Sequence, residues 1–169
     1  MKIRDRIVGL RRVLASELVP NGKNWRRHPK AQRDALRGVL AEVGYAGALI
    51  ARELEDGRLM LIDGHLRAET TPEMEVPVLV LDVTEAEADK ILLTLDPLAA
   101  MADADTEALK SLLADVSTEE DAVRKMLADL AAETGAIVPS FAPTSADDQS
   151  RLDEKTPTTC PGCGLVFTR

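Results

Sequence analysis

Aromatic residues, cysteines and long apolar runs are all scarce in this sequence. Aromatic side chains make up 2% of its 169 residues and hydrophobic residues 45%, so an aliphatic core of Leu, Val, Ile and Ala is expected. Both cysteines lie among the last ten residues, which excludes a disulfide framework in the main domain. No apolar run approaches the roughly 20 residues that span a bilayer, and no signal-type apolar block follows the basic start of the chain. We therefore expect a cytoplasmic protein without a membrane segment.

Acidic residues outnumber basic ones, but the two signs are unevenly distributed. Residues 1–37 hold 11 Lys and Arg against 3 Asp and Glu, a net charge of +8, whereas residues 38–169 hold 10 against 26, a net charge of −16. The acidic part would repel a DNA backbone, so direct DNA binding is not expected. The basic segment favours a local anionic ligand; alternatively, its arginines simply pair with the acidic residues.

Helix and strand patterns are interspersed in the first part of the chain, which predicts an α+β domain. Residues 10–18 form an extended segment, and apolar residues fall on one helical face over 32–43. Two strands, 49–54 and 58–62, flank the tight-turn sequence Glu55-Asp56-Gly57, and 76–81 is predicted to be a buried strand.

Three further helices are predicted after residue 83. Thr84 and Glu87 match a capping box for a helix that ends where Asp96 meets Pro97. Residues 106–116 are amphipathic, and Thr118 with Asp121 matches a cap for the last helix. The chain is thus divided into four predicted segments: a main domain, 1–96; a helical extension, 97–132; a flexible linker, 133–158; and a tail, 159–169.

The strand at 58–62 leads directly into Asp63-Gly64-His65-Leu66-Arg67, where a helix is predicted to begin. The start of a helix presents free backbone N–H groups and the positive end of the helix dipole, which together attract anions. Gly64 has no Cβ and would let a phosphate oxygen approach the main chain, while Arg67 offers a bidentate fork and His65 a further donor. Alternatively, Asp63 is an ordinary N-cap, Gly64 a turn residue and Arg67 a solvated charge.

A second turn, Pro20-Asn21-Gly22-Lys23-Asn24-Trp25-Arg26-Arg27-His28, precedes the first helix. Together with Ile62-Asp63-Gly64-His65-Leu66-Arg67-Ala68 it resembles the N-terminal domain of the ParB/sulfiredoxin superfamily, most closely the short ParB-like (ParB-like nuclease) domains of phages and mobile elements. The resemblance covers about residues 7–95 and implies a small mixed sheet with packed helices. It also implies a nucleotide-phosphate site formed by Asn24, Arg26, Asp63, Gly64, His65 and Arg67, with Asn21 in the same turn as Asn24.

Two departures from the family pattern limit the activities that the resemblance implies. The acidic helices over 84–130 do not resemble the DNA-reading helix-turn-helix of partition proteins, so chromosome partition is not expected. Sulfiredoxins carry a reactive cysteine just before the histidine of this turn. Here Gly64 holds that place and no cysteine occurs before Cys160, which excludes sulfiredoxin activity.

Cys160 and Cys163, followed by Gly164, resemble one knuckle of a zinc ribbon. Structural zinc needs four ligands, and a second pair is missing. His28 and His65, which are the only histidines, belong to the two turns, so zinc within one chain is not expected. A second copy of the chain or a protein partner could complete this half site; alternatively, the pair stays unmetallated or is redox-active.

Three functional hypotheses follow. The first is a nucleotide-binding regulatory or adaptor protein of phage or mobile-element type, related to DNA processes, with CTP or ATP and Mg²⁺ as ligands. The second is a phosphoryl-transfer or nuclease-type enzyme, a nucleotide hydrolase or small-molecule kinase, with Asp63 as the candidate base or Mg²⁺ ligand. The third is a purely structural interaction module whose turn binds nothing.

Overall fold

The computed structural model of the chain describes residues 3–137 and 157–168. The chain divides into two compact units, residues 1–138 and 139–169. Most of the predicted linker, 138–156, lies outside the described residues, as does Arg169 of the predicted tail. Within the described ranges, every helix is too short or too polar to cross a bilayer.

The first unit is built on a four-stranded mixed sheet. Its strands are β1 (Ile7–Leu14), β2 (Leu49–Glu53), β3 (Leu59–Asp63) and β4 (Glu75–Leu81), in the spatial order β1-β4-β2-β3. β4 pairs antiparallel with β1 and parallel with β2, and β2 pairs antiparallel with β3. Gly57, with φ +81°, supplies the left-handed turn residue of the predicted β2–β3 hairpin. The predicted α+β class and small mixed sheet are confirmed.

The core of this unit is aliphatic, as the composition requires. Val76, Val78 and Val80 alternate along β4 and are buried, together with Leu49 from β2 and Leu61 from β3. β4 lies between two other strands, so its alternate side chains have neighbours on both sides. Burial of each such side chain stabilises the fold by about 1.5–3 kcal/mol, and this packing fixes the ends of β2 and β3.

The described residues of this unit also form five α-helices: α1 (Lys30–Glu42), α2 (His65–Thr70), α3 (Glu85–Ala100), α4 (Thr106–Asp115) and α5 (Asp121–Thr134). A short 3-10 helix, Ala15–Glu17, follows β1. α1 packs on α5, where a Cβ on Gly38 would stand 2.7 Å from Val123 Cγ2. α5 thus extends two residues into the segment predicted as a linker from residue 133, and Ala136 just beyond it is fully buried.

The start of α3 is as predicted, but its end is not. Thr84 and Glu87 form the expected capping box. The prediction that Asp96-Pro97 ends the helix was wrong, since α3 continues through Pro97 to Ala100. A proline inside a helix removes one N–H donor. Here the loss falls in the last turn, and Met101 N–H still donates to the Pro97 carbonyl at 3.1 Å. Asp96 is therefore held on a helix.

The cap of α5 also differs from the prediction. Its N-cap residue is Glu120, whose side chain makes no capping bond, so the expected Thr118–Asp121 capping pair was wrong. The carboxylate of Glu42 instead accepts from the Thr118 hydroxyl at 2.8 Å and from the Glu119 N–H at 2.9 Å. Those bonds lower the pKa of Glu42. The end of α1 thus caps the start of α5, a tertiary contact that local sequence cannot reveal.

Glu87 gives a testable pH dependence to the stability of this unit. Arg6 Nη1 and Nη2 donate to its two carboxylate oxygens at 2.8 Å and 3.0 Å. These bonds, with those from Thr84, lower the pKa of Glu87 from 4.5 to about 2. Because the folded-state pKa lies below the unfolded one, the stabilisation is present above pH 4.5 and is lost as the pH falls toward about 2.

We predict that Glu87→Gln lowers the free energy of unfolding at pH 7 and that the deficit shrinks between about pH 4.5 and 2. Urea denaturation at a series of pH values measures this difference. The exposed Glu107 serves as the control, because its side chain makes no ion pair within the described residues, so Glu107→Gln should cost much less at pH 7 than Glu87→Gln. A deficit that stays constant across this range would contradict the assignment.

The second unit contains a short antiparallel hairpin. β5 (Pro157–Thr159) pairs with β6 (Val166–Thr168). The connecting turn is closed by two backbone bonds, from Cys160 N–H to the Leu165 carbonyl and from Gly164 N–H to the Cys160 carbonyl, both 2.9 Å. The two cysteines lie in this turn.

Candidate functional site

The two turns singled out in the sequence meet at one cleft of the first unit. The cleft has a volume of about 230 Å³ and is walled by the 24–28 turn, α1, the β3–α2 turn and α3. All six predicted site residues line it: Asn24, Arg26, Asp63, Gly64, His65 and Arg67. The lining also includes five residues that were not predicted to belong to the site: Gln32, Leu36, Leu92, Leu95 and Asp96.

Gly64 has a structural reason to be glycine that differs from the predicted one. It is the N-cap of α2 with φ +94°, in the left-handed region. A Cβ there would lie 2.5 Å from Leu49 Cγ and 3.1 Å from Leu49 Cβ. The missing side chain therefore makes room for the core residue Leu49. That Gly64 also lets a phosphate oxygen approach the main chain remains a prediction.

His65 joins the two turns. Its Nε2 accepts a hydrogen bond from the backbone N–H of Asn21 at 3.2 Å, and the residue is buried. Burial lowers the pKa of His65, and the opposing effect of Asp63 is smaller. The imidazole is thus neutral at pH 7, with Nε2 acting as an acceptor. The predicted donation to a phosphate cannot come from this nitrogen.

Asn24 shapes the first turn through its backbone contacts. Its N–H donates to the Asn21 carbonyl at 3.0 Å, and its side-chain oxygen accepts from the Arg26 N–H at 3.2 Å. Such bonds from Asn side chains fix tight turns. Asn24 therefore orients the backbone that carries Arg26 at the cleft.

Arg67 and Asp63 form an ion pair across the first turn of α2. Arg67 Nη2 donates to Asp63 Oδ2 at 2.6 Å, and Nη1 contacts the carbonyls of Gly47 and Ala48 at 3.4 Å. A guanidinium has five N–H donors, so these contacts leave some of them for a ligand. The Asp63 carboxylate, by contrast, is held by a cation, which disfavours a role as general base.

Arg26 provides a second positive charge in the lining of the cleft, in addition to that of Arg67. Its Nε lies 2.6 Å from Asp96 Oδ2, but in a geometry that makes an ion pair without a hydrogen bond, so Nε has no hydrogen-bond partner within the described ranges. The guanidinium carbon lies 4.8 Å from the centre of the Trp25 ring, a cation–π distance. Trp25 itself is 54% exposed, so it is not a core anchor.

The charges of the cleft are balanced. Each arginine faces one carboxylate, and one of these acids, Asp96, comes from a helix that the sequence predicted to end before it could face the cleft. α2 has only six residues, so its dipole is small and the arginines must provide most of the attraction for an anion. A polyanion entering the cleft would compete with Asp63 and Asp96 for the two guanidinium groups.

The comparison with solved structures identifies the fold. Neither a protein-family model nor a curated protein matches the sequence. Among solved structures, the chain is similar to the C-terminally truncated chromosome-partitioning protein ParB from Caulobacter crescentus, solved with CTP-γ-S, at a TM-score of 0.53 and 18% identity over 62% of this chain. The chain has a ParB-like fold.

The extent of this similarity is limited. The chain spans 61% of the length of the Caulobacter crescentus ParB structure. A Pnob8-like ParB-N domain also matches, at a TM-score of 0.44 and 17% identity over 95% of this chain and 56% of that one. The predicted ParB-like fold is confirmed by the Caulobacter crescentus structure, and the similarity extends to the fold alone.

A metal ion in this cleft would need oxygen ligands from a bound nucleotide in addition to those from the protein. Among the described residues, no group of three or more His, Cys, Asp or Glu side chains is arranged to hold a metal. Mg²⁺ is often bound by one or two carboxylates together with substrate phosphates. Asp63 and Asp96 fit that pattern only if a polyphosphate supplies the remaining oxygen ligands.

A second, larger cavity of about 640 Å³ lies next to α4 and α5. It is lined mainly by apolar side chains, including Leu113, Val116 and Leu127, and holds none of the predicted site residues. Among the described residues that line it, Arg124 is the one that carries a charge. Phosphate recognition needs convergent donors, so the smaller cleft is the better candidate.

The cysteine pair of the second unit has a turn geometry of its own. The backbone N–H groups of Gly162 and then of Cys163, and the Cys163 thiol, interact with the Cys160 sulfur and lower the pKa of its thiol. Gly164 has φ +74°, which favours glycine at the end of this turn. Binding of zinc by Cys160 and Cys163 remains a prediction.

Proposed function

We propose that the ParB-like unit binds a nucleoside triphosphate, CTP or ATP, in the cleft between the two turns, and that the protein is a nucleotide-dependent regulator or adaptor of phage or mobile-element type in a DNA-related process. The main observation in support of the proposal is that all six predicted site residues line one cleft. The ParB of similar fold that was solved with CTP-γ-S supports the same ligand class.

Arg26 is the proposed main contact to the phosphates. Its guanidinium lies in the cleft and, within the described part of the chain, is held by one ion pair at a partly exposed position. Exposed ion pairs are weak, typically below about 1 kcal/mol, whereas bidentate contacts from arginine to phosphate are among the stronger hydrogen bonds. A triphosphate would therefore displace Asp96 from Arg26 at little cost.

Arg67 is proposed to add a second contact without leaving Asp63. Its unused donors can reach an oxygen at the cleft, while the ion pair at 2.6 Å keeps the side chain oriented. Since Asp63 is occupied by this arginine, we propose binding without rapid hydrolysis and rank the phosphoryl-transfer enzyme second. Mg²⁺ would enter with the nucleotide.

Calorimetric titration of the full chain tests this proposal. CTP and ATP, each with and without Mg²⁺, are titrated into the wild type, and cytidine and adenosine serve as ligands without phosphates. We expect saturable binding of at least one triphosphate and much weaker binding of the corresponding nucleoside. The proposal would be refuted if neither triphosphate bound, or if a nucleoside bound with the same affinity as its triphosphate.

Asp96→Asn is expected to strengthen triphosphate binding about 1.4- to fivefold, because it removes an ion pair that is worth about 0.2–1 kcal/mol and competes for Arg26. The same calorimetric titration measures the change. Asp89→Asn is the matched control: Asp89 lies on the same helix and pairs with Lys23 at 2.6 Å, outside the lining of the cleft. Weaker binding by Asp96→Asn would show that Asp96 assists the ligand instead of competing with it.

A further inference from the structure

β1 lies at one edge of the four-stranded sheet, and its outer side is open. With eight residues it is the longest of the described strands, and among the described residues it pairs with β4 alone. The opposite edge, β3, is partly covered by the chain itself: Val19 N–H donates to the Leu59 carbonyl at 2.8 Å, and Leu61 N–H donates to the Val19 carbonyl at 2.9 Å. An uncovered edge is a template for a further strand. Of the two edges, β1 is therefore the one available for pairing.

The register of β1 with β4 determines which backbone groups point outward at this edge. Ala15 N–H donates to the Met74 carbonyl, just before β4, at 2.9 Å. Along an antiparallel strand the N–H and C=O groups of successive residues point to alternate sides, so Val13 and Arg11 also face β4. The N–H and C=O groups of three residues between or beside them point away from the sheet: Leu10, Arg12 and Leu14.

This edge lacks most of the features that prevent further pairing. Short strands, proline, lysine and β-bulges are the usual protections of an exposed edge. The register of β1 with β4 shifts between Ile7 and Gly9, whereas residues 9–14 pair regularly and contain neither proline nor lysine. Leu10, in the middle of the strand, is 61% exposed. The regular stretch has the usual length of a strand, about 5–6 residues, and can accept an added strand by β-augmentation.

A second copy of β1 does not fit this edge well. Two antiparallel copies exchange hydrogen bonds only where outward-pointing residues lie opposite each other. The registers that achieve this over most of the edge pair residues 9–13, or residues 10–14, with the same residues of the other copy. The first register places Arg11 opposite its own counterpart, and the second does the same with Arg12. Like charges directly opposite each other destabilise a sheet, so the matching strand must come from a different sequence.

Arg12 determines the charge of a matching strand. It is exposed and, within the described part of the chain, forms no ion pair, whereas Arg11 beside it donates to Glu53 at 2.8 Å. A carboxylate opposite Arg12 on an added strand would form a cross-strand pair of opposite charge, which stabilises a sheet. Leu10 lies two residues away on the same face, so an apolar residue of the added strand would cover it.

We propose that the outer edge of β1 binds an extended segment of a partner protein as an added strand, with Asp or Glu opposite Arg12 and an apolar residue opposite Leu10. The outward N–H and C=O groups of Leu10, Arg12 and Leu14 bond the backbone of the segment, and the Arg12 guanidinium selects its charge. β1 contributes no residue to the lining of the ParB-like cleft, so this surface is independent of the nucleotide proposal.

Amide hydrogen exchange of the isotope-labelled full chain, followed by NMR without nucleotide, tests this proposal. The probe is a short peptide that alternates valine and threonine, with glutamate in place of the central valine; a second peptide carries lysine there. We expect the glutamate peptide to slow the exchange of the outward amides of Leu10, Arg12 and Leu14. The amides of Arg11 and Val13 already face β4 and should change little. The lysine peptide should bind more weakly.

Charge reversal at position 12 makes the result specific. Arg12→Glu should weaken binding of the glutamate peptide about 2- to 30-fold, because attraction between cross-strand charges becomes repulsion, and should strengthen binding of the lysine peptide. Arg27→Glu makes the same change of charge at an exposed position outside β1 and should leave both affinities unchanged. The proposal would be overturned if the glutamate peptide slowed none of the outward amides, if the lysine peptide bound the wild type equally well, or if a dimer formed without peptide and protected the same amides.

Discussion

Gly64→Ala is expected to destabilise the first unit by about 2–5 kcal/mol, which is a large share of the 5–15 kcal/mol typical of a domain. Two effects add up. The left-handed φ of +94° costs a residue with a Cβ about 1–2 kcal/mol. The new methyl would also stand 2.5 Å from Leu49 Cγ, and overpacking of a core costs about 1–3 kcal/mol more. The midpoint of urea denaturation measures the sum.

Two other glycines separate the two effects. Gly57 has φ +81° with open space where a Cβ would stand, so Gly57→Ala should cost only the backbone term, about 1–2 kcal/mol. Gly22 has open space and no left-handed φ, so Gly22→Ala should be nearly neutral. The predicted order of destabilisation is therefore Gly64, then Gly57, then Gly22. Equal losses at Gly64 and Gly57 would mean that Leu49 adapts without cost.

Arg26→Ala is expected to weaken triphosphate binding about ten- to a hundredfold, because a hydrogen bond to a charged group contributes about 1.5–3 kcal/mol. The fold should tolerate the change, since the side chain contacts Asp96 and Trp25 at a partly exposed wall. Calorimetric titration gives the affinity, and urea denaturation of the same variant confirms that the stability is retained.

Two controls define the role of the Arg26 guanidinium. Arg27→Ala removes the same charge one residue away, from an exposed side chain that does not line the cleft, and should change the affinity less than twofold. Arg26→Lys should recover only part of the loss, because an ammonium group cannot reproduce the bidentate fork. If Arg27→Ala were as harmful as Arg26→Ala, general charge attraction would explain the binding better than a specific contact.

Structural features that are set by residues close together in the sequence could be predicted from it. The β2–β3 hairpin follows from Asp56-Gly57, the start of α3 from Thr84 with Glu87, and the ParB-like order of elements from the two turn motifs. The convergence of these motifs on one cleft follows because each motif lies at the end of an element that the sheet positions.

Features that depend on tertiary contacts could not be predicted. Glu42 caps a helix whose first residue is Asp121, far along the chain, and no local pattern reports that contact. Asp96 faces the cleft only because α3 continues through Pro97, against the usual effect of proline. The contact of Gly64 with Leu49 is also tertiary, because a glycine at a turn does not reveal which core residue lies against it.

Binding of a triphosphate between the two turns can be followed directly by NMR. CTP and then ATP are titrated into the isotope-labelled full chain, and the backbone amide resonances are recorded. We expect saturable shifts concentrated in residues 24–28 and 63–67, together with the indole resonance of Trp25, the single tryptophan. Unchanged spectra with both nucleotides, or saturable shifts confined to residues outside the cleft, would contradict it.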